Sequence, residues 1–439
     1  MKRIQGIKEK IMSFKRSTRL ELFSWMLYDF ANTSFTVMIV TFVYSVYFRD
    51  IVGKGLENKA DFLWGLNGSI SMVVVALLSP VLGAIADQAQ AKKKFLVFFA
   101  LLCIVFGGML FFVKEGMILE GTIFFIIANI GFEGGNVFYN AFLPEITTQE
   151  KFGRISGYGW ALGYLGAIVT IFICKPFLSG GFEEWNLPNV RLTFLLSAVF
   201  YLVFSLPIFF FLKERKGKSM VDRNTPYIVM GFRRLRDTFR NVKQFKELTK
   251  YLLSYFIYTD GITTVIYFST IYAKNTLHMN ISELIIFYIM VQTAGIVGAI
   301  LFGWLADKLL PKRTIGITLL IWCVVVIGAY FVEDKSVFFA IGMLAGIAMG
   351  SSQSASRSMM GLLTPRDKDA EFFGFYGISG KFSAVLGPFV FGVISAWTGS
   401  QRIAILAVIS FFVLGLILLQ RVDEEGGILA ARNFDINRQ

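Results

Sequence analysis

The chain has 439 residues, of which 55% are hydrophobic and only 17% charged, with a mean hydropathy of +0.62. Soluble chains carry roughly 25% charged and about 45–50% apolar residues, so this composition excludes a soluble enzyme, a secreted disulfide scaffold and a disordered chain, and it points to an all-α polytopic membrane protein. The net charge of +13 would suit nucleic acid, but the basic residues cluster between apolar runs and nowhere interleave with aromatics on a solvated surface, so no nucleic-acid partner is expected.

Residues 1–20 form a basic tail without the long apolar core or small-residue cleavage site of a signal peptide. At about 20 apolar residues per crossing, the chain then predicts twelve spans. The first six lie near 22–48, 62–86, 95–113, 120–143, 154–175 and 192–212. A basic linker over 213–250 follows, and then spans near 251–273, 284–306, 314–332, 337–363, 372–397 and 403–420, with a tail over 421–439. The expected units are thus two six-helix bundles, 21–212 and 251–420. The 41 glycines suit close helix packing in lipid. Cys103, Cys174 and Cys323 lie inside apolar runs, too far apart for a ligand motif, and read as small buried hydrophobes. No metal site and no cofactor is expected.

Of the 43 Lys and Arg residues, 32 fall on the side of the termini and 9 on the other, with Arg357 and Lys381 inside spans. Cytoplasmic loops carry such an excess, so both termini are expected in the cytoplasm, at a plasma (inner) membrane. Orientation accounts for the charge.

The two halves repeat one another. Gly83-Ala-Ile-Ala-Asp87 closes span two and Gly303-Trp-Leu-Ala-Asp307 closes span eight; Leu143-Pro144 with Phe152-Gly153 recurs as Thr364-Pro365 with Phe373-Gly374. Duplication of this kind marks secondary transporters, whose site lies between the repeats near the midplane. In the Gly-x-x-x-Asp unit the glycine allows close approach, and the aspartate can cap a neighbouring helix or pair with a loop cation. The chain resembles the major facilitator superfamily in span count, in its six-plus-six division and in both signatures, although Gln88 replaces the usual arginine of the first copy. Three further stretches, Tyr28–Phe35, Gly159–Gly166 and Ser356–Ser358 with Ala370–Tyr376, are similar to the fungal vacuolar amino-acid effluxers and their bacterial relatives, often called the unknown major facilitator family. That resemblance implies amino-acid transport.

Five spans each hold one internal charge: Asp29, Glu133, Asp260, Arg357 and Lys381, on spans one, four, seven, ten and eleven. A charge at a helix centre costs at least about 2.5–3.5 kcal/mol, so each is expected to face the bundle interior. In the superfamily that the sequence resembles, spans one, four, seven and ten line the central cavity. Helical spacing puts Asn129, Glu133, Asn136 and Asn140 on one face of span four, Asp29, Asn32 and Thr36 on one face of span one, and Asp260, Thr264 and Tyr267 on one face of span seven. Depth, at about 1.5 Å per residue, groups Asp29, Asp260, Arg357 and Lys381 into a layer expected to gate or couple. Glu133 lies deeper, and the repeat pairs it with Gln353, so both are expected to border substrate, with Asn32, Asn129, Asn136, Asn140, Trp160 and Tyr267.

Coupling falls to carboxylates, because the lone histidine, His278, lies in an external loop. Glu133, with no basic neighbour in its own span, is the expected proton carrier, whereas Asp29 and Asp260 are expected to be held by Arg357 or Lys381. Sodium would also suit Asp with Asn and Thr oxygens. The reading is therefore a monomeric, non-enzymatic secondary transporter in the lipid bilayer, carrying small polar organic solutes, which the resemblance implies are amino acids, by alternating access with proton symport. The alternatives are a cation-coupled sugar transporter, with Trp25 and Trp160 stacking on the sugar, and a carrier of lipids or lipophilic compounds. The sequence holds no His/Cys cluster and no phosphate-cradling glycine loop, which argues against an intramembrane enzyme or a built-in ATP site.

Overall fold

A computed structural model describes residues 17–56, 58–215, 245–275, 277–279, 281–365, 368–382, 386–399 and 401–437, with isolated positions 233, 236, 238 and 240. Most of the expected tail 1–20 and of the linker 213–250 lies outside the described residues. All regular structure among those described is helical.

Span one begins at a capping box: Thr18 Oγ1 accepts the amide of Glu21 at 3.1 Å and Glu21 Oε2 accepts the amide of Thr18 at 2.8 Å, satisfying two orphan donors. The helix Arg19–Phe35 continues through Thr36–Phe42, where the Val43 amide reaches back to the Met38 carbonyl, a π-type bond. Single-turn π segments in a span often accompany functional sites. Spans two to six are Asn58–Ala89, Lys92–Met109, Ile118–Ala141, Phe152–Cys174 and Leu187–Phe211. Spans seven to ten are Lys246–Asn275, Ile281–Leu309, Pro311–Phe331 and Lys335–Leu363. Span eleven is described as Asp369–Phe382 and Leu386–Thr398, and span twelve as Gln401–Ala407 and Ile409–Gln420. Among the described residues ten helices are long and apolar enough to cross a membrane. The two others of the twelve-helix fold are span eleven and the hydroxyl-rich span seven.

Helix packing follows the repeat. Span one packs on six, two on four, and three on four and six; in the second half, seven packs on twelve, eight on ten, and nine on ten and twelve. The halves meet crosswise, span five on eight and span two on eleven. These contacts exchange under a pseudo-two-fold axis, as duplicated transporter halves require. Glycines set the crossings. A methyl at Gly166 would overlap the Phe30 carbonyl of span one, and one on Gly303 would lie 2.7 Å from the Gly153 carbonyl of span five.

Beyond span twelve, a helix Glu424–Asn437 lies across the basic end. Arg432 Nε donates to Gln149 Oε1 at 3.0 Å, joining this helix to the loop between spans four and five.

Candidate functional site

The basic end is closed by the two signatures acting reciprocally. Asp87, from the first half, accepts the amides of Ala370 and Glu371 at 3.1 and 3.0 Å, capping the start of span eleven. Asp307, from the second half, accepts the amides of Gly153 and Arg154 at 2.7 and 3.3 Å at the start of span five, and Arg154 Nε donates to it at 2.5 Å. A carboxylate at a helix N-terminus meets both the orphan amides and the positive end of the dipole. Gly83 is required beside this cap, because a methyl there would overlap the Ala370 carbonyl. Lys92, buried at the start of span three, lies 3.1 Å from Asp87, 2.9 Å from Glu145 and 3.2 Å from Asp369.

A second pair of carboxylates caps within each half. Glu214, after span six, accepts the Lys92 amide at 2.7 Å, and Glu424, after span twelve, accepts the Lys312 amide at 3.2 Å. Burial pushes both carboxyls up, Glu424 to about 7.

Deeper in the seam, Arg357 of span ten is the hub. Its Nη1 lies 2.9 Å from Asp29 Oδ2 of span one and donates to Asn140 Oδ1 at 3.3 Å, while Nε and Nη2 donate to Ser156 Oγ and its carbonyl at 2.9 and 2.6 Å. The guanidinium lies 5.0 Å from the Trp25 ring centroid, 5.6 Å from Tyr139 and 5.2 Å from Trp160, within cation–π range. At 2% exposure its side chain is fully engaged. Gly159 leaves the space for this pair: a methyl there would lie 2.8 Å from both Arg357 Nη2 and Asp29 Oδ2.

Glu133 does not stand alone, as expected from its own span. Lys381 of span eleven reaches across the seam to Glu133 Oε1 at 2.6 Å. The single-span reading failed because the cation comes from the opposite half. The Lys381 side chain is 39% exposed although it sits roughly 18 Å into its helix at 1.5 Å per residue.

Asp260 is held by neither Arg357 nor Lys381. One oxygen accepts the amide of Gly387 in span eleven at 2.8 Å, and the other has no hydrogen-bond partner among the described residues. Gly387 must be glycine, since a methyl would lie 2.7 Å from Asp260 Oδ1 and overlap Thr264 Oγ1. The expected layer of Asp29, Asp260, Arg357 and Lys381 therefore comes apart: Asp29 pairs with Arg357, Lys381 pairs with Glu133 from outside the layer, and Asp260 has no cation beside it among the described residues.

The remaining expected residues divide. Gln353 accepts the Tyr164 hydroxyl of span five, a third link across the seam. Asn32 Nδ2 donates to Asn136 Oδ1 at 3.1 Å, tying spans one and four. Asn129 turns to span two, where it donates to Ser71 Oγ at 2.6 Å, and is buried away from the seam. Trp160 is half-buried beside Tyr164. The side chain of Tyr267 lies outside those described. Trp25, offered for sugar stacking, has no exposed face: it is buried, stacked on Tyr139, and donates Nε1 to that residue's carbonyl at 2.9 Å. Ser156, Gly159 and Tyr164 were missed as site residues. Their signal was present in span five, where small residues at 156, 159, 163 and 166 recur at helical spacing.

Twelve helices in two halves, with opposite charges paired across their seam, define a multi-pass major facilitator superfamily transporter, not an enzyme. Transporters of this class bind small-molecule substrates. More narrowly, the chain belongs to the family described as vacuole effluxer Atg22 like, whose model matches residues 51–432. It is similar to the uncharacterized MFS-type transporter YxiO of Bacillus subtilis (strain 168), 32% identical over 418 residues covering 94% of this chain and 96% of that one. It is also similar to autophagy-related protein 22 of Yarrowia lipolytica (strain CLIB 122 / E 150), 24% identical over 460 residues covering 85% and 77%. Among solved structures, the human organic anion transporter MFSD10 (TETRAN) shares the fold at a TM-score of 0.71 and 14% identity, covering 92% of this chain and 99% of that one. The proton:xylose symporter XylE does so at 0.71 and 15%, covering 92% and 95%.

Proposed function

We propose that this protein is a secondary active transporter of amino acids, driven by protons through alternating access. The observation that carries the reading is the Glu133–Lys381 pair, 2.6 Å apart, drawn from opposite halves and with its lysine side chain 39% exposed. A zwitterion offers one carboxylate and one ammonium. Its carboxylate takes Lys381 and its ammonium takes Glu133, so substrate replaces a pair that otherwise satisfies itself. The halves are then joined through substrate, and no charge is left uncompensated in a low-dielectric site. Gln353 with Tyr164, and Trp160, border the same seam and supply polar and aromatic contacts.

Arg357 and Asp29 act differently. Arg357 already uses its donors on Asp29, Ser156 and Asn140, so it serves as the lock between the halves on the cytoplasmic side. Of the three mid-span carboxylates, Asp260 alone lacks a cation beside it among the described residues. It can gain or lose a proton without breaking an ion pair, and it therefore replaces Glu133 as the proposed proton carrier.

Binding of a radiolabelled amino-acid mixture to purified protein, beside labelled xylose, tests the substrate class. Amino-acid binding lost in Lys381→Gln and in Glu133→Gln is expected. Sugar binding that survives both substitutions, with no amino-acid binding, would overturn the assignment.

A further inference from the structure

We propose that the seam between spans five and eight, at the basic end, holds the phosphate of an anionic phospholipid. The proposal stands apart from the choice of transported substrate. Along span five, Leu165 and Phe172 are exposed, two turns further back the same stripe reaches half-buried Tyr158, and exposed Lys151 stands in the turn just before the helix. Along span eight, Val297, Leu301 and Trp304 are exposed and the stripe ends at exposed Lys308. Large apolar side chains standing outward in a membrane span mark its lipid face. Two lipid-facing stripes, one from each half, thus run side by side and terminate in lysine.

Where they meet, the polar groups converge. Trp304 Nε1 donates to the Tyr158 hydroxyl at 2.9 Å, and the Arg154 guanidinium lies over the Trp304 ring, 5.3 Å from its centroid. Arg154 Nε is committed to Asp307, but its two Nη groups have no partner among the described residues, and its side chain is 34% exposed. Asp307 neutralises one positive charge. Glu150 neutralises a second, so Arg154, Lys151, Lys308 and Arg432 together leave the patch with an excess of two. Glu150, next to Lys151, takes a hydrogen bond from Thr148 and lies in the field of Arg432 and Lys151. A tryptophan, a tyrosine and free guanidinium donors at headgroup depth, flanked by two lysines, complement a phosphodiester with acyl chains lying along the two stripes. Because Arg154 and Trp304 come from opposite halves, a lipid bound there also ties the halves together at the closed end.

Native mass spectrometry of the full-length protein, released from mixed phosphatidylglycerol and phosphatidylcholine, tests this. The seam variant Lys151→Gln/Lys308→Gln leaves Arg154, and with it the Asp307 contact, intact. The control Lys94→Gln/Lys213→Gln removes the same charge from exposed positions on other elements of the basic end. The wild type and the control are expected to retain phosphatidylglycerol over phosphatidylcholine. Each seam lysine lost is expected to weaken that retention about fivefold, from the ~1 kcal/mol that one basic residue contributes near an anionic surface. Equal loss in both variants would mean diffuse attraction to the whole basic face, and unchanged retention in the seam variant, or no preference in the wild type, would equally overturn the site.

Discussion

Replacing Arg357 with methionine removes the cation against which Asp29 is folded. The contact is 2.9 Å and both side chains are largely buried; with charge centres about 4 Å apart, the attraction is ~4 kcal/mol at an effective dielectric of about 20. The substitution also strips Ser156 and Asn140 of their donors and leaves a carboxylate in the seam without a counter-ion. Breaking a buried pair from one side costs about 3–5 kcal/mol, whereas replacing both partners with neutral groups is often close to neutral. The double variant Asp29→Asn/Arg357→Met should therefore be more stable than Arg357→Met alone, recovering at least half of the loss. Thermal unfolding of the detergent-solubilised protein, run as a double-mutant cycle, reads this directly. Losses that simply add would refute the pairing and with it the lock assigned to these residues.

Gly159→Ala should destabilise by about 1–3 kcal/mol, the usual range for overpacking, because its methyl would lie 2.8 Å from both charges of the same pair; a melting temperature equal to wild type would count against the geometry. Asp307→Asn should cost about 1 kcal/mol of cap and dipole energy, seen as faster hydrogen exchange at the amides of residues 153 and 154, with Asp87→Asn acting likewise at 370 and 371. Glu424 binds a proton more tightly when folded, its carboxyl being pushed from 4.5 to about 7, and Glu214 shifts the same way. The folded state therefore holds more protons than the unfolded one in this window, and stability contributed by Glu424 is lost as pH rises from about 4.5 to 7. Glu424→Gln should flatten that part of the stability profile; an unchanged slope would contradict it.

Much of the fold was legible because membrane spans are set by length and hydropathy, and because the Gly-x-x-x-Asp copies expose the duplication. The five intramembrane charges were legible for the same reason: each costs enough that it must have a partner or a task. Their pairing was not. Helical periodicity sorts residues onto faces of one span, but Lys381 meets Glu133 across the seam between halves, and nothing in either segment encodes that register. Asn129 shows the related limit. It shares a face with Glu133 by spacing, yet a polar stripe on one helix can serve two neighbours, and Ser71 of span two takes this one. Span five was read for its resemblance, although its glycines and Ser156 do the physical task of admitting Arg357.

In the proposed cycle an amino acid bound between Glu133 and Lys381 is carried with a proton held by Asp260. Uptake of a radiolabelled amino-acid mixture into proteoliposomes under an imposed pH gradient, with wild type beside Asp260→Asn, tests it most directly. Gradient-driven accumulation is expected in the wild type, and in the variant counterflow exchange that persists while accumulation is lost. Accumulation undiminished in Asp260→Asn would contradict the coupling, and no accumulation or exchange of any amino acid by correctly inserted wild-type protein would contradict the substrate.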